Sequence, residues 1–204
     1  MPASLRTSPP GERCGHTPIH IRETAMQRTL ITPPVLGGAL AELKHWLAIT
    51  TTQDDASLEA LLRAAVETCE AFTGTMPVAA RVEQIHAATC EWQALHASPV
   101  HLIDGAEAIG PDGTRAALGV GDYDIYIIGD SRGLVRLRHA VVIRRVSVRF
   151  LAGLVPDWEA LPDGLRHGVL RLAAHNYRMR DGESGPNPPA AIAALWRPWR
   201  RLRL

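Results

Sequence analysis

The chain is 204 residues long, yet it holds one lysine, two phenylalanines and three tyrosines. It also holds only three cysteines, Cys14, Cys69 and Cys90, an odd number at no recognised spacing. A disulfide-stapled scaffold and a cysteine-rich zinc module are therefore not expected. No apolar run approaches the roughly 18 residues that a membrane-spanning helix needs. The first residues, with Pro9, Pro10, Gly11, Glu12 and Arg13, lack the continuous apolar segment of a secretory signal. There is no Gly-rich phosphate loop opening a helix, no Gly-x-Ser-x-Gly and no Cys-x-x-Cys. Gly119-Val120-Gly121-Asp122 is rich in glycine but leads into a strand pattern, so it cannot present helix N–H groups to phosphate. His86, Cys90, His96 and His101 come nearest to a metal cluster, without an established zinc spacing. Asp54-Asp55 and Asp122-x-Asp124 suit a helix cap and a turn better than an acid/base pair. No catalytic residue, metal or cofactor is expected.

What is present is a globular composition, with 46% apolar and 21% charged residues. The length suits one domain with extensions. Almost all the cationic charge is arginine. The net charge of +1 conceals a polarity: residues 26–131 carry 5 Lys+Arg against 14 Asp+Glu, and residues 132–204 carry 14 Arg against 5 acids. Such halves fit a polyanionic partner, or head-to-tail association in which the acidic part of one copy meets the basic part of the next. They fit equally a chain that neutralises itself.

Residues 1–25 have no periodicity and read as a disordered leader, or as an over-long start with Met26 as the working initiator. Leu36, Leu40, Leu43 and Leu47 then share one face of a short helix near 38–49. A long helix is predicted over 55–73. Its Leu58, Leu61, Leu62, Ala65, Val66, Cys69 and Phe72 form an amphipathic stripe, and Gly74 and Pro77 end it. From about 81 to 150 the texture is that of strands, broken by Pro111-Asp112-Gly113 and by residues 129–133. Residues 82–97 are ambiguous between helix and strand, with strand favoured. Val146, Val148 and Phe150 should lie on one side of a strand, and Arg145, Ser147 and Arg149 on the other. A second long helix is predicted over 162–180, followed by a breaker-rich linker to 187. The fold class is α+β: a small helical bundle with a β insertion and a C-terminal helical arm.

That arm, residues 188–204, is the most distinctive stretch. Ile192, Leu195, Trp196, Trp199 and Leu202 recur at helical period among four arginines. Chain ends fray, and Trp and Arg dominate binding hot spots, so the arm could anchor a partner. Equally, it could fold back onto its own domain. Pro198 should break or kink the helix. The cluster Arg136, Arg138, Arg144, Arg145 and Arg149 could face nucleic acid, or simply be the solvated side of a sheet.

The element order, together with the stretches 40–47, 54–74, 98–100, 123–125, 161–180 and 199–204, resembles the phage head–tail connector family, also called adaptor or head-completion proteins. Gene transfer agents, the phage-like particles encoded in bacterial genomes, use a similar part. The resemblance implies a connector domain over 26–187 and a dodecameric ring below the portal of a capsid. It also implies a lumen that continues the channel for double-stranded DNA without sequence-specific binding. Further implied partners are a portal protein, held by Leu195, Trp196, Trp199, Arg200, Arg201, Leu202, Arg203 and Leu204, and a stopper or tail-terminator protein. Ring contacts would join Glu59, Glu67 and Glu70 to Arg144, Arg145 and Arg149 of a neighbour. The location would be the virion or phage-like particle, and the bacterial cytoplasm before assembly, with no membrane partner. The rival reading is an Arg-rich nucleic-acid-binding accessory protein.

Overall fold

The computed structural model describes residues 25–129, 131–139, 144–179 and 187–201. The leader and residues 202–204, with Leu202, Arg203 and Leu204, lie outside the described residues. The elements run β1 (Ala25–Thr32), α1 (Ala39–Leu47), α2 (Asp55–Thr73), β2 (Ala80–Ala87), β3 (Gln93–Ala94), β4 (Val100–Ile109), β5 (Arg115–Ala117), β6 (Tyr123–Ile127), β7 (Gly133–Leu137), β8 (Arg145–Ala152), α3 (Asp163–Arg178) and α4 (Ala190–Trp196), which a 3-10 turn, Arg197–Trp199, extends. The fold is α+β, as the sequence predicts. Two compact units divide the described residues: one takes those within 25–31, 82–96 and 100–151, the other those within 32–81, 97–99 and 152–201.

The second unit is helical. Leu43 of α1, Leu58, Leu62, Ala65 and Cys69 of α2, and Leu165, Val169 and Ala173 of α3 are buried in one apolar cluster with Trp158, Ile192 and Trp196. The helix ends follow local chemistry. Ala48, in the left-handed region at φ 56°, closes α1, and its N–H and that of Ile49 cap the carbonyls of His45 and Lys44. Gly74, at φ 71°, closes α2, where a side chain would be strained. The acidic start of α2 departs from expectation. Asp54 does not cap the helix; its carboxylate accepts the Tyr177 hydroxyl at 2.9 Å. Asp55 instead pairs with Lys44 at 2.6 Å and ties α1 to α2. Tertiary partners have taken both carboxylates from the backbone.

The C-terminal arm belongs to this core. Trp196 is fully buried, its indole N–H donating to the Leu165 carbonyl at 3.3 Å. It lies against Phe72, with ring centroids 6.0 Å apart. Gly168 makes this possible: a Cβ there would fall 2.1 Å from the Trp196 ring nitrogen. Pro198 sits within the 3-10 turn, which tightens the helix end as a missing N–H requires.

The first unit is built from two antiparallel-rich sheets, ordered β1-β2-β8-β4-β5 and β3-β7-β6. The β4–β5 hairpin turns at Pro111-Asp112-Gly113, where Gly113 adopts φ 84° and the Asp112 carboxylate accepts both the N–H and the hydroxyl of Thr114. Val146, Val148 and Phe150 are buried along β8. Ser147, expected on the solvent side, is also buried, because its hydroxyl donates to Glu83 of β2. The 82–97 ambiguity has a physical source. Along β2 the buried positions alternate as Val82, Gln84 and His86, so two polar residues occupy the inner face. The Gln84 carbonyl oxygen accepts the His96 N–H at 3.0 Å.

The arm's burial predicts an order of stabilities. Trp196→Ala should cost about 3–5 kcal/mol, and Gly168→Ala, which must displace the indole, about 1–3 kcal/mol. Trp199→Ala, at 37% exposure, should cost less than about 1 kcal/mol. Urea-unfolding midpoints of the three variants check the order.

Candidate partner-binding surfaces

The residues that the sequence nominates for partner contact separate into two groups. Trp196 is not available, since it fills its own unit's core, and Leu195 is partly buried against the same cluster. Tertiary packing against Gly168 is the reason, and one-dimensional periodicity cannot distinguish it from a free apolar stripe. Trp199 remains on the surface. Arg200 lies over the Phe72 ring, 5.4 Å from its centroid. Arg201 is tied back by its N–H to the Thr73 carbonyl at 2.8 Å and by its guanidinium to the Ser98 hydroxyl at 3.3 Å. These contacts hold Trp199 beside the α2 terminus.

Glu59 and Glu67 are exposed on α2, and Glu70 is half-buried. Glu59 meets Arg63 one turn on at 3.6 Å, a solvent-exposed pair that contributes little. The arginines of the first unit are mostly engaged within it. Asp124 accepts Arg136 at 2.9 Å and Arg138 at 2.5 Å, and the Arg136 guanidinium also stacks 4.5 Å from the Trp92 centroid. Arg149 pairs with Glu107, and Arg115 reaches both Glu107 and Glu83. Arg144 is exposed and Arg145 is half-buried.

These pairings shift the acids. The Arg115 hydrogen bond, reinforced by Ser147, holds Glu83 below the usual carboxylate range despite partial burial. Burial pulls Asp124 upward, but Arg138 and Arg136 outweigh it and leave the group below its ordinary value. The buried His86 behaves oppositely for a base. Desolvation, then the charge of His96, pushes it down to about 4. Neither of its ring nitrogens has a hydrogen-bond partner.

A further surface escapes the apolar periodicity. Trp46 of α1 is 45% exposed and stands edge-on to His167 of α3, with centroids 5.3 Å apart. A groove of about 310 Å³ on one side includes His45 and Arg166, and one of about 230 Å³ on the other includes Arg171, His175 and Arg178. The signal was in the chain: Trp46 falls off the Leu36, Leu40, Leu43, Leu47 stripe. Among the described residues no group of three or more His, Cys, Asp or Glu could hold a metal ion. No described helix is long and apolar enough to cross a membrane.

An α+β chain with a helical core closed by a C-terminal segment is the class of protein to which solved subunits from the neck of a phage-like particle also belong. The particular likeness is to chains of the gene transfer agent. The chain is 25% identical to one in the neck of the empty gene transfer agent particle, computed with C6 symmetry, at a TM-score of 0.68, covering 88% of this chain and 97% of that one. It is 27% identical, at a TM-score of 0.64, to a chain in the virion of the native particle and to one in the native neck computed with C12 symmetry, with the same coverage. No protein-family profile and no curated protein sequence matches the chain.

The pH dependence of stability follows from these groups. His86, charged in the unfolded chain below about 6.5 and in the folded one only below about 4, makes the unfolded state the better proton binder in between. Stability is therefore full above pH 6.5 and falls as pH drops towards 4, by on the order of 3 kcal/mol. Glu83 and Asp124 add to the loss further down, as pH falls through their lowered values. His86→Gln should flatten the melting-temperature profile between pH 6.5 and 4; an unchanged slope would assign the loss to other groups.

Proposed function

We propose that this chain is the adaptor of a gene-transfer-agent-like or phage-like particle: a ring subunit, twelve to the ring, seated below the portal. The carrying observation is the likeness over 97% of a gene transfer agent neck chain at a TM-score of 0.68. Neck necessity also fits the chemistry. A structural joint needs rigid cores and partner surfaces, and both units carry their ionic groups in pairs that fix geometry. The lumen passes double-stranded DNA without reading it, and a stopper or tail component docks on the far side.

Within this reading, the portal contact is made by Trp199 with the arginines beside it, while Trp196 acts indirectly by locking α4 in place. Ring neighbours meet through the exposed acids of α2, Glu59 and Glu67, and cations of the next copy. Arg149 is already neutralised by Glu107, so Arg144 and Arg145, with Arg171 and Arg178 of α3, supply that charge. The nucleic-acid-binding alternative loses ground for the same reason, since Arg136, Arg138 and Arg149 are occupied by carboxylates.

Two measurements test the proposal. Trp199→Ala should leave the melting temperature nearly unchanged and abolish co-purification with the portal, with a loss of roughly 2–4 kcal/mol in affinity. Retained portal binding by this variant would remove Trp199 from the contact. Reversing Glu59 and Glu67 to Arg should weaken rings on native mass spectrometry at low salt, with partial recovery as salt screens the repulsion.

A further inference from the structure

β6 is the outer strand of the β3-β7-β6 sheet. Its register sets Asp124 opposite Arg136 and Tyr126 opposite Leu134. The Arg138 N–H donates to the Asp122 carbonyl, and the Ile128 N–H to the Arg132 carbonyl. Residues 122, 124, 126 and 128 therefore aim their backbone groups at β7. By alternation, the N–H and C=O groups of Tyr123, Ile125 and Ile127 point away from the sheet. The side chains along this edge are open too: Ile125 is 40% exposed, Tyr126 52% and Ile127 43%. Soluble proteins blunt such edges with lysine, proline or a bulge. β6 has no lysine or proline, and its one charge, Asp124, is neutralised by Arg136 and Arg138. Among the described residues no strand covers its outer edge, which is open to another strand.

The chain itself contains a strand that suits this edge. Residues 27–32 of β1 are all exposed, including Leu30 at 38% and Ile31 at 47%. An eight-residue strand with no buried side chain over that stretch gains little from its own fold. β1 is itself an end strand of the β1-β2-β8-β4-β5 sheet, so among the described residues its outer edge carries no strand. Symmetry decides against β6 pairing with its own copy. Two identical strands paired antiparallel about a twofold axis close a dimer, whereas a ring needs two different surfaces. The similar necks were computed with C6 and C12 symmetry.

We infer that β1 of one copy adds to the outer edge of β6 of the next, so that a sheet runs across each seam of the ring. The inference rests on the ring reading above. A seam of five strand residues buries far less than the roughly 1,600 Å² of a standard interface, so it sets register while the helical charges add area.

The test uses the outward N–H of Ile125. Ile125→Pro removes a donor that β7 does not use, so the subunit should keep its circular dichroism, yet ring formation on native mass spectrometry should drop about tenfold. Ile125→Cys mixed with Leu30→Cys or Ile31→Cys, under mild oxidation of the full-length chain, should give a dimer-sized band that neither single variant gives. Rings undiminished by Ile125→Pro, or no mixed cross-link in rings that do form, would overturn the inference and leave the ring intact. A cross-link in Ile125→Cys alone would overturn it in favour of a twofold dimer. Should Ile125→Pro not fold, the cross-link still decides. Failure of the unmodified chain to form rings at all would instead defeat the ring reading itself.

Discussion

The helical unit depends on the seating of Trp196 over Gly168. An indole that buries its whole surface can approach a helix that closely only where no Cβ stands in the way. Its N–H then needs a partner, and the Leu165 carbonyl supplies one without leaving α3. From this one seat the rest of the C-terminal path follows. α4 must lie along α3, Ile192 joins the buried cluster, and the turn at Pro198 delivers Arg200 to the face of Phe72. Through residue 201 the C-terminal segment is therefore a tethered corner.

The sheet unit follows a different logic. Its arginines and acids are matched across strands rather than along them, so the charge that looks like a polyanion-binding face in the sequence is largely consumed internally. Such pairs add little stability where they are exposed. They do restrict register, because a one-residue slip would part Asp124 from Arg136 and Arg138 together. The pairs thus serve precision of register more than stability.

Much of this was legible in the chain. The 55–73 helix and its glycine stop were readable because periodicity and termination agree at every level, and α1 and α3 nearly so. The Pro-Asp-Gly hairpin was readable from turn chemistry alone. β1 was not, because residues 27–32 are all exposed: with no buried face over that stretch there is no alternation to detect. β2 was blurred because Gln84 and His86 stand where apolar residues normally mark the inner face. At the candidate site, the sequence drew attention to two tryptophans three residues apart that differ in role: Trp199 is on the surface, and Trp196 is in the core. Only the position of Gly168, 28 residues earlier, separates them, and that relation exists in three dimensions.

The scarcity of lysine has a practical corollary. Apart from the chain's own α-amino group, Lys44 is the one primary amine, and its ammonium is held 2.6 Å from Asp55 with its side chain 16% exposed. Amine-directed reagents, which label most proteins indiscriminately, have a single internal target here, and the α1–α2 clasp shields it. Acylation of Lys44 would thus occur mainly when that clasp opens, which turns an ordinary labelling reaction into a local gauge of how often the bundle breathes.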